Sequence, residues 1–300
     1  MRGGPCRYRA VMTDGQSPVI AVLGSINMDL VTTTGRRPEP GETVLGSGFA
    51  MVPGGKGANQ AIAAGRAGGR VEFIGAVGDD VFADELRAVL RESGVGTARL
   101  RTVDGPSGIA AIVVDAAGEN SIIVVGGANA TLTELSDDDL AVIAGADILL
   151  CQLEIPVQTV AAAARHAQAN GTVVVLNPSP ARPLPPELWA DVDVAVVNSG
   201  EFAELGAALD AVPHLVVTLG ADGARYRGTD GRELRVPGLR VQVVDTTGAG
   251  DTFTGALAVA WQRGPAEALR WACAAGALAT TRLGASASIP ACEEIEAALD

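Results

Sequence analysis

The chain has 300 residues, 48% of them hydrophobic and 19% charged, so it can bury a sizeable core and does not have the composition of a disordered protein. Its 22 basic and 35 acidic side chains give a net charge of −13. This balance argues against a broad surface for nucleic acid or for an anionic membrane. Because no apolar run reaches the ~20 residues of a membrane span, no transmembrane segment is predicted.

The rarest residues narrow the chemistry further. Two histidines are too few for a multi-His metal site and make a Ser-His-Asp triad improbable. The four cysteines lie far apart without a C-x-x-C pair, which predicts free thiols and a cytoplasmic protein. Aromatic residues make up 3% of the chain, few for a surface that binds by stacking. Lys56 is the only lysine.

In chain order, residues 1–17 come first and contain three arginines but no apolar stretch of signal-peptide length, so we interpret them as a flexible leader. From Val19 onward, short apolar runs alternate with Ala- and Leu-rich stretches of helical spacing. This alternation predicts one α/β domain over residues 18–300, with a mostly parallel sheet between two helical layers. The strand-like runs begin near residues 19, 71, 147, 172, 194 and 214, and the helix-like stretches are 57–67, 81–93, 157–169, 202–209, 249–263 and 266–283.

Two stretches, 28–53 and 99–126, break this alternation. They contain short alternating strands and Gly, Pro or Asn turns but no helical pattern, and the turn D-A-A-G-E-N predicts a hairpin. Both are inserted between strands of the main sheet. Since ligands bind at the carboxyl ends of strands in open α/β sheets, we expect the two insertions to form a small β-sheet lid there.

The first motif that carries chemistry is the Gly-rich segment 53–60, PGGKGANQ, which leads into a helix. It is not a Walker A loop, because a glycine follows the lysine where that motif has Ser or Thr. Its glycines allow close approach of a ligand, and Lys56 and Asn59 offer donors at a helix N-terminus. The alternative is a Gly-rich turn with an incidental cation.

The second motif is the segment 243–255, VVDTTGAGDTFTG. We predict that a strand, 239–245, ends in a Gly-rich turn and that a helix starts at 249–251. The backbone N–H groups of Gly248, Ala249, Gly250 and Asp251 would then face one anion at the helix N-terminus. An ionised Asp251 is a weak base, which suffices for phosphoryl transfer. The alternative is an aspartate that only complements the helix dipole.

Four motifs in this order resemble the phosphofructokinase-B-type carbohydrate kinase family, and most closely its ribokinase branch: GSINMD at 24–29, PGGKGANQA at 53–61, QLE at 152–154 and DTTGAGDTF at 245–253. The resemblance runs from about Val19 to the C-terminus. It implies a ribokinase-like three-layer α/β/α sandwich with an inserted β-sheet lid. It also implies ATP-dependent phosphorylation of the primary 5-hydroxyl of D-ribose, with Mg²⁺ required and K⁺ activating.

The resemblance further implies a role for individual residues. Asp251 is the general base. Its backbone amide forms the anion hole together with the amides of Gly248, Ala249 and Gly250. From the residues alone, Asp29 could equally be a turn residue, and Glu154 could cap the helix that starts near Pro156. The residues that the resemblance assigns to the sugar are Asn27, Asp29, Gly55, Lys56, Asn59, Glu154 and Asp251.

The nucleotide and cation sites are likewise implied only by the resemblance. Asn198 and Glu201 match an N-x-x-E element that supports the Mg²⁺-phosphate arrangement, although a Glu early in a helix is ordinary. Thr218, Gly220, Gly223 and Gly250 would line the ATP site. The late segment 281–290 would otherwise be a loop between helices. The implied K⁺ site uses Asp245, Thr247, Ala279, Arg282, Gly284 and Ser288.

The sequence leaves other functions open. A kinase for deoxyribose, fructose, a keto-deoxy sugar acid or a nucleoside is the nearest alternative. A dinucleotide-binding oxidoreductase needs G-x-G-x-x-G after the first strand, which the sequence does not supply. A non-catalytic sugar-binding module would have no use for an anion turn with a facing carboxylate. The resemblance also implies a homodimer that forms through the lid, whereas the net charge and the lengths of the apolar runs argue against nucleic acid and membrane as partners.

Overall fold

The computed structural model describes residues 17–300, and apart from Ser17 the predicted leader lies outside the described residues. Within this range nine strands form one sheet and four form a second, smaller sheet. Strands are numbered along the chain. The larger sheet contains β1 (Val19–Leu23), β4 (Arg70–Val77), β5 (Gly96–Thr102), β8 (Ile148–Cys151), β9 (Val173–Leu176), β10 (Val194–Asn198), β11 (His214–Thr218), β12 (Ala224–Arg227) and β13 (Glu233–Val236).

The strand order of the larger sheet is β13-β12-β11-β10-β9-β8-β1-β4-β5, and only β12 and β13 run antiparallel to their neighbours. Its central strands are continuous apolar runs because helices cover both faces. On β1, Ile20 and Val22 pack into one core, whereas Ala21 and Leu23 pack into the other. The predicted three-layer sandwich is thereby confirmed.

Helices from the two ends of the described chain form one outer layer, and helices from its middle form the other. Buried side chains of α1, α2, α7, α8 and α10 share one core, and those of α3, α4 and α5 share the other. The helices are α1 (Lys56–Arg66), α2 (Ala83–Glu92), α3 (Asp137–Ala144), α4 (Val157–Asn170), α5 (Pro186–Ala190), α6 (Ser199–Leu205), α7 (Ala249–Ala260), α8 (Pro265–Ala279), α9 (Ala285–Ser288) and α10 (Cys292–Leu299), with 3₁₀ turns at Gly127–Thr131, Gly206–Ala211, Gly220–Asp222 and Trp261–Arg263.

The smaller sheet is formed by the two predicted insertions, and we call it the lid. Its strands are β2 (Asn27–Thr34), β3 (Gly46–Gly54), β6 (Gly108–Val114) and β7 (Asn120–Val125), in the order β3-β2-β6-β7. The second insertion is shorter than the predicted 99–126, because β5 (Gly96–Thr102) pairs in parallel with β4 at the edge of the larger sheet. The lid therefore uses β6 and β7 from that stretch, with the predicted hairpin turn between them.

Two further expectations about the C-terminal third are wrong. Residues 239–245 form no strand, since the N–H groups of Val244 and Asp245 both donate to the carbonyl of Thr280 instead of to a neighbouring strand. The last long helix ends at Ala279 and not at residue 283, because the hydroxyls of Thr280 and Thr281 bond the final carbonyls of α8. Residues 280–284, which follow α8, pack against the turn before α7.

Cys151 and Cys273 are buried free thiols, and burial raises the pKa of Cys273 to about 12. The prediction of free thiols is wrong for Cys292, which is disulfide-bonded. In residues 17–300, each helix is too short or too polar to span a bilayer.

Candidate active site

Asp251 lies in the first turn of α7 and is 8% exposed. It borders a cavity of about 140 Å³ at the carboxyl ends of β9, β10 and β11, where α1 and α7 also begin. The cavity brings together candidates from both predicted motifs and from the nucleotide side. Its lining residues are Lys56, Asn177, Ser179, Val196, Val197, Asn198, Glu201, Thr218, Gly248, Gly250, Asp251 and Thr254.

The turn before α7 has the backbone geometry of an anion-binding helix start. Gly248 adopts φ +75°, and a Cβ there would lie 3.0 Å from the Cα of Ala285, so both conformation and packing call for glycine. The N–H of Ala249 donates to the carbonyl of Thr246 and is already used. The candidates for the predicted anion hole are therefore the amides of Gly248, Gly250 and Asp251, three groups and not four.

Lys56 is the first residue of α1, and the lid strand β3 ends just before it at Gly54. Gly55 joins them with φ +91°, and a Cβ there would lie 2.8 Å from the backbone nitrogen of Asn27. The negative charge of Asp251 raises the pKa of Lys56 despite the opposing effect of burial, and Glu154 and Glu201 add to it. The ammonium group therefore stays charged in the cavity.

Glu154 follows β8 and supports the start of α1. Its Oε2 accepts hydrogen bonds from the Ser25 hydroxyl at 2.5 Å and from the backbone N–H of Lys56 at 3.1 Å. The open alternative, a cap on the helix after Pro156, is not realised, because the hydrogen bonds of Glu154 among the described residues go to Ser25 and Lys56. Glu154 instead places a carboxylate at the N-terminus of α1, where the helix dipole favours it.

Asp29 lies on lid strand β2, near the carboxylates of Glu154 and Asp251. Burial raises its pKa to about 7, with further contributions from the nearby charges of Glu154 and Asp251. It is a strand residue paired with Val52 and Ala110, so the alternative of a turn residue is wrong. Its carboxyl group is costly to ionise until a ligand supplies hydrogen-bond donors.

Two asparagines complete the sugar-side candidates. Asn27 Oδ1 accepts a hydrogen bond of 2.7 Å from Asn129, which also bonds both backbone groups of Ile26 and so fixes the start of the lid. Asn59 donates from Nδ2 to Asp251 Oδ2 at 3.2 Å. Its buried Oδ1 has no hydrogen-bond partner in the described part of the chain. A ligand hydroxyl would satisfy that acceptor.

The nucleotide-side candidates lie at the ends of β10 and β11. Asn198 and Glu201 form a reciprocal capping box at the start of α6, which is the ordinary helix role left open above. Both residues also line the cavity beside Thr218. Gly220 and Gly223 lie in the following turn, closed by a 2.8 Å bond from the Leu219 N–H to the Gly223 carbonyl, and neither lines the cavity.

The donor sets fit the two implied metal ions to different degrees. Among residues 17–300 no group of three or more His, Cys, Asp or Glu side chains is arranged to hold a metal. Mg²⁺ is commonly held by substrate phosphates, waters and one or two carboxylates, and Glu201 is a carboxylate that lines the cavity.

The implied K⁺ residues are only partly brought together. Asp245 accepts bonds from the N–H and hydroxyl of Thr247 and from the N–H of Gly284. Burial alone would raise the pKa of Asp245, but these three hydrogen bonds together lower it, so a carboxylate is held beside the turn. The Ser288 hydroxyl bonds the Ala285 carbonyl, and the Arg282 side chain pairs with Glu294. Ala279 is the last residue of α8, and the carbonyl of the next residue, Thr280, accepts from the N–H groups of Val244 and Asp245.

The sequence did not single out several residues that shape this site. Ser25 and Asn129 anchor Glu154 and Asn27, while Gln60, Gln152 and Asn177 form a buried chain of amides that reaches Asp251. Gln152 lies inside the motif QLE, but nothing in its spacing indicated a partner. A lone Asn or Gln carries no periodic signal, since its function depends on the tertiary neighbour.

Comparisons with known proteins agree with this geometry. A family model for pfkB family carbohydrate kinases matches residues 18–292. A ribokinase of Bacillus subtilis is 41% identical over 92% of this chain and 98% of its own, and a deoxyribokinase of Salmonella typhimurium is 36% identical over 92% and 96%. The structure of Arabidopsis thaliana ribokinase complexed with ribose and ATP superposes with a TM-score of 0.88 at 32% identity, covering 95% of this chain and 99% of that one. The chain belongs to the pfkB family of carbohydrate kinases.

Proposed function

We propose that this enzyme transfers the γ-phosphoryl group of ATP to the primary 5-hydroxyl of D-ribose, giving D-ribose 5-phosphate and ADP. The observation that carries the proposal is the position of Asp251. One carboxylate at the N-terminus of α7 lies in the same cavity as Lys56 and the nucleotide-side residues, and it accepts a hydrogen bond from Asn59 on the sugar side. The ribokinase relatives support ribose as the acceptor.

In this mechanism the sugar lies between the lid and the start of α1. Asp29 and Glu154 accept hydrogen bonds from its hydroxyls, Gly55 allows its close approach, and Asn27 and Asn59 orient it. Asp251 takes the proton of the 5-hydroxyl as that oxygen bonds to the γ-phosphorus and ADP departs. The amides of Gly248, Gly250 and Asp251 stabilise the charge on the transferred group.

Lys56 adds a cation beside that charge. The ATP would lie along Asn198, Thr218, Gly220, Gly223 and Gly250. Mg²⁺, when bound through the ATP phosphates and supported by Asn198 and Glu201, supplies charge neutralisation to the triphosphate. Closure of the lid would exclude water from the cavity and limit wasteful hydrolysis of ATP.

A coupled assay for ADP release over a panel of acceptors tests the proposal. We expect ribose to give the highest kcat/KM and the product to carry phosphate at the 5-position, as read by NMR. Good turnover of another sugar together with no turnover of ribose would overturn the assignment.

The second candidate is a kinase of the same family with a neighbouring acceptor such as deoxyribose or fructose. Similarity to a deoxyribokinase favours keeping deoxyribose in the panel. A keto-deoxy sugar acid fits less well, because the carboxylates of Asp29 and Glu154 lie close enough to raise the pKa of Asp29 and would repel an anionic acceptor. Among the described lid residues Phe49 is the sole aromatic ring, so a stacking platform for a nucleoside base is poorly provided.

The proposed K⁺ site yields a prediction that does not depend on sugar choice. The cation would bind near Asp245 and Thr247, with carbonyls of Ala279, Arg282 and Gly284 and the Ser288 hydroxyl, and would rigidify the turn that carries the anion hole. We expect K⁺ to raise kcat several-fold over a matched concentration of tetramethylammonium, and Asp245→Asn to abolish that difference. Equal rates in the two salts for the wild-type enzyme would contradict the site.

We also propose that the enzyme is a homodimer formed through its lid, and that it acts in the cytoplasm, where ATP is available. The strand register places Phe49, Met51 and Ile123 on the lid face opposite Asp29, and these side chains are 65%, 50% and 69% exposed. Such an exposed apolar sheet face is typical of an interface.

The double variant Phe49→Asp/Ile123→Asp is expected to run as a monomer in light scattering where the wild type runs as a dimer. Val81→Asp, at an 87% exposed valine outside the lid, is the matched control and should leave the mass unchanged. A monomeric wild type at micromolar concentration would contradict this interface.

A further inference from the structure

Three buried amide side chains form a chain of hydrogen bonds that reaches Asp251, the proposed catalytic carboxylate. Gln60 on α1 and Gln152 after β8 are 0% exposed, and Asn177 after β9 is 8% exposed. Gln60 Nε2 donates to Asp251 Oδ1 at 2.9 Å and to Asn177 Oδ1 at 3.1 Å. None of these three amides has a proposed role in binding the sugar or the nucleotide.

The orientation of the Gln60 amide is fixed at both ends. Gln152 donates from Nε2 to Gln60 Oε1 at 2.7 Å, so the Gln60 oxygen cannot turn towards Asp251 without losing that bond. Asn177 in turn donates from Nδ2 to the backbone carbonyl of Val196 on β10 at 2.8 Å. The NH₂ group of Gln60 is therefore aimed at Asp251 by contacts that end on the central sheet.

The two oxygens of Asp251 are consequently not equivalent. Oδ1 is held by an amide that is itself fully bonded, whereas Oδ2 accepts a 3.2 Å bond from Asn59, whose own Oδ1 lacks a partner among the described residues. The Asn59 bond is thus the one that a ligand hydroxyl can replace, because Asn59 can then bond the same ligand.

We propose that Gln60, held by Gln152 and Asn177, is a positioning residue that fixes Asp251 through Oδ1 and so commits Oδ2 to the acceptor hydroxyl. The proposal rests on the proposed function, since it assigns Asp251 as the base. Gln60 is 0% exposed, so its side chain acts on the substrates only through Asp251. It acts by preventing rotation of the carboxylate and by donating to its ionised form, which a hydrogen bond favours.

The test compares Gln60→Met with the wild type at saturating ribose and ATP over a pH series. Methionine has a similar length and no donor, so we expect kcat to fall about tenfold, the KM for ribose and for ATP to stay within about threefold, and the acid limb of kcat to move to higher pH by about one unit. Gln158→Met, the same change at an exposed position on α4, is the matched control.

The pH readout separates positioning from a merely structural effect. Asp251 interacts with the charges of Lys56 on α1 and Asp29 on β2, and Glu154 after β8 and Glu201 on α6 act in turn on Lys56; all four are the same in the variant. The pH dependence of kcat at saturation reports groups in the bound complex and is independent of proton uptake during sugar binding. A shift of the acid limb is therefore attributable to the lost amide.

Gln152→Met provides a second variant in case Gln60→Met does not fold. This variant keeps the Gln60 donor but removes the hydrogen bond that fixes the orientation of the Gln60 amide. We therefore expect a smaller fall in kcat, with a shift of the acid limb in the same direction. An unchanged acid limb in a folded variant overturns the positioning role even if kcat falls. Absence of sugar phosphorylation by the wild-type enzyme would instead overturn the proposed function, so the two failures are distinguishable.

Discussion

Asp251→Asn is expected to lower kcat for ribose by about 10³-fold while ribose still binds within about threefold of its wild-type affinity. Asparagine has the same shape and can still accept a hydrogen bond from Gln60, but it cannot take the proton of the acceptor hydroxyl. Its NH₂ group would face the Asn59 NH₂, and an amide flip of Asn59 relieves that clash by presenting the Oδ1 that otherwise lacks a partner in the described residues.

The measurement is single-turnover phosphoryl transfer together with ribose binding by calorimetry. Asp210→Asn, at an exposed aspartate before β11, is the control and should keep wild-type rates. If Asp251→Asn retained a tenth or more of the activity, Asp251 would not be the general base.

Asp29→Asn is expected to lower kcat/KM for ribose by about 100-fold, chiefly through KM, because hydrogen bonds to a charged partner are worth about 1.5–3 kcal/mol each. Asp29 has a pKa raised to about 7 by burial and by the charges of Glu154 and Asp251, so the wild-type KM should itself rise as the pH falls from 8 to 6. The variant should lose that dependence. A pH series of initial rates for both proteins provides the comparison.

The same substitution is expected to stabilise the ligand-free fold at high pH. A carboxyl group whose pKa is higher in the folded than in the unfolded chain destabilises the fold as the pH rises from its unfolded value near 3.8 to its folded value near 7. Replacing Asp29 by Asn removes that loss, so the gain in the free energy of unfolding should be larger at pH 8 than at pH 5 by about 2 kcal/mol. Urea unfolding at the two pH values measures it, and an equal effect at both would contradict the raised pKa.

Much of the fold could be predicted because its signals are local. The central strands are short apolar runs buried on both faces, and the helices between them repeat at helical spacing, so both elements follow from the sequence pattern. The hairpin of β12 and β13 was missed, although Asp230-Gly231 between two alternating segments is a turn signal that could have found it.

The failures have a common cause in tertiary contacts. Residues 239–245 alternate like a strand, but a single carbonyl at the end of α8 takes the N–H groups of Val244 and Asp245. For the candidate site, the sequence located Asp251 and Lys56, whereas it could not show that the Ala249 amide is used inside its own turn. Nor could it show that Gln60 and Gln152, which are 92 residues apart, share a hydrogen bond.

The junction at Gly55 has a consequence for how acceptor choice can be altered. Apart from Glu154 and Asp251, the proposed sugar contacts come from one continuous stretch, residues 27–59. This stretch runs through two lid strands into the start of α1. The phosphate-transfer turn lies near the other end of the chain, at residues 245–254. We therefore expect that exchanging residues 27–54 between relatives, which replaces the lid strands β2 and β3 and keeps Lys56 and Asn59, changes the sugar preference and leaves the turn at residues 245–254 unaltered.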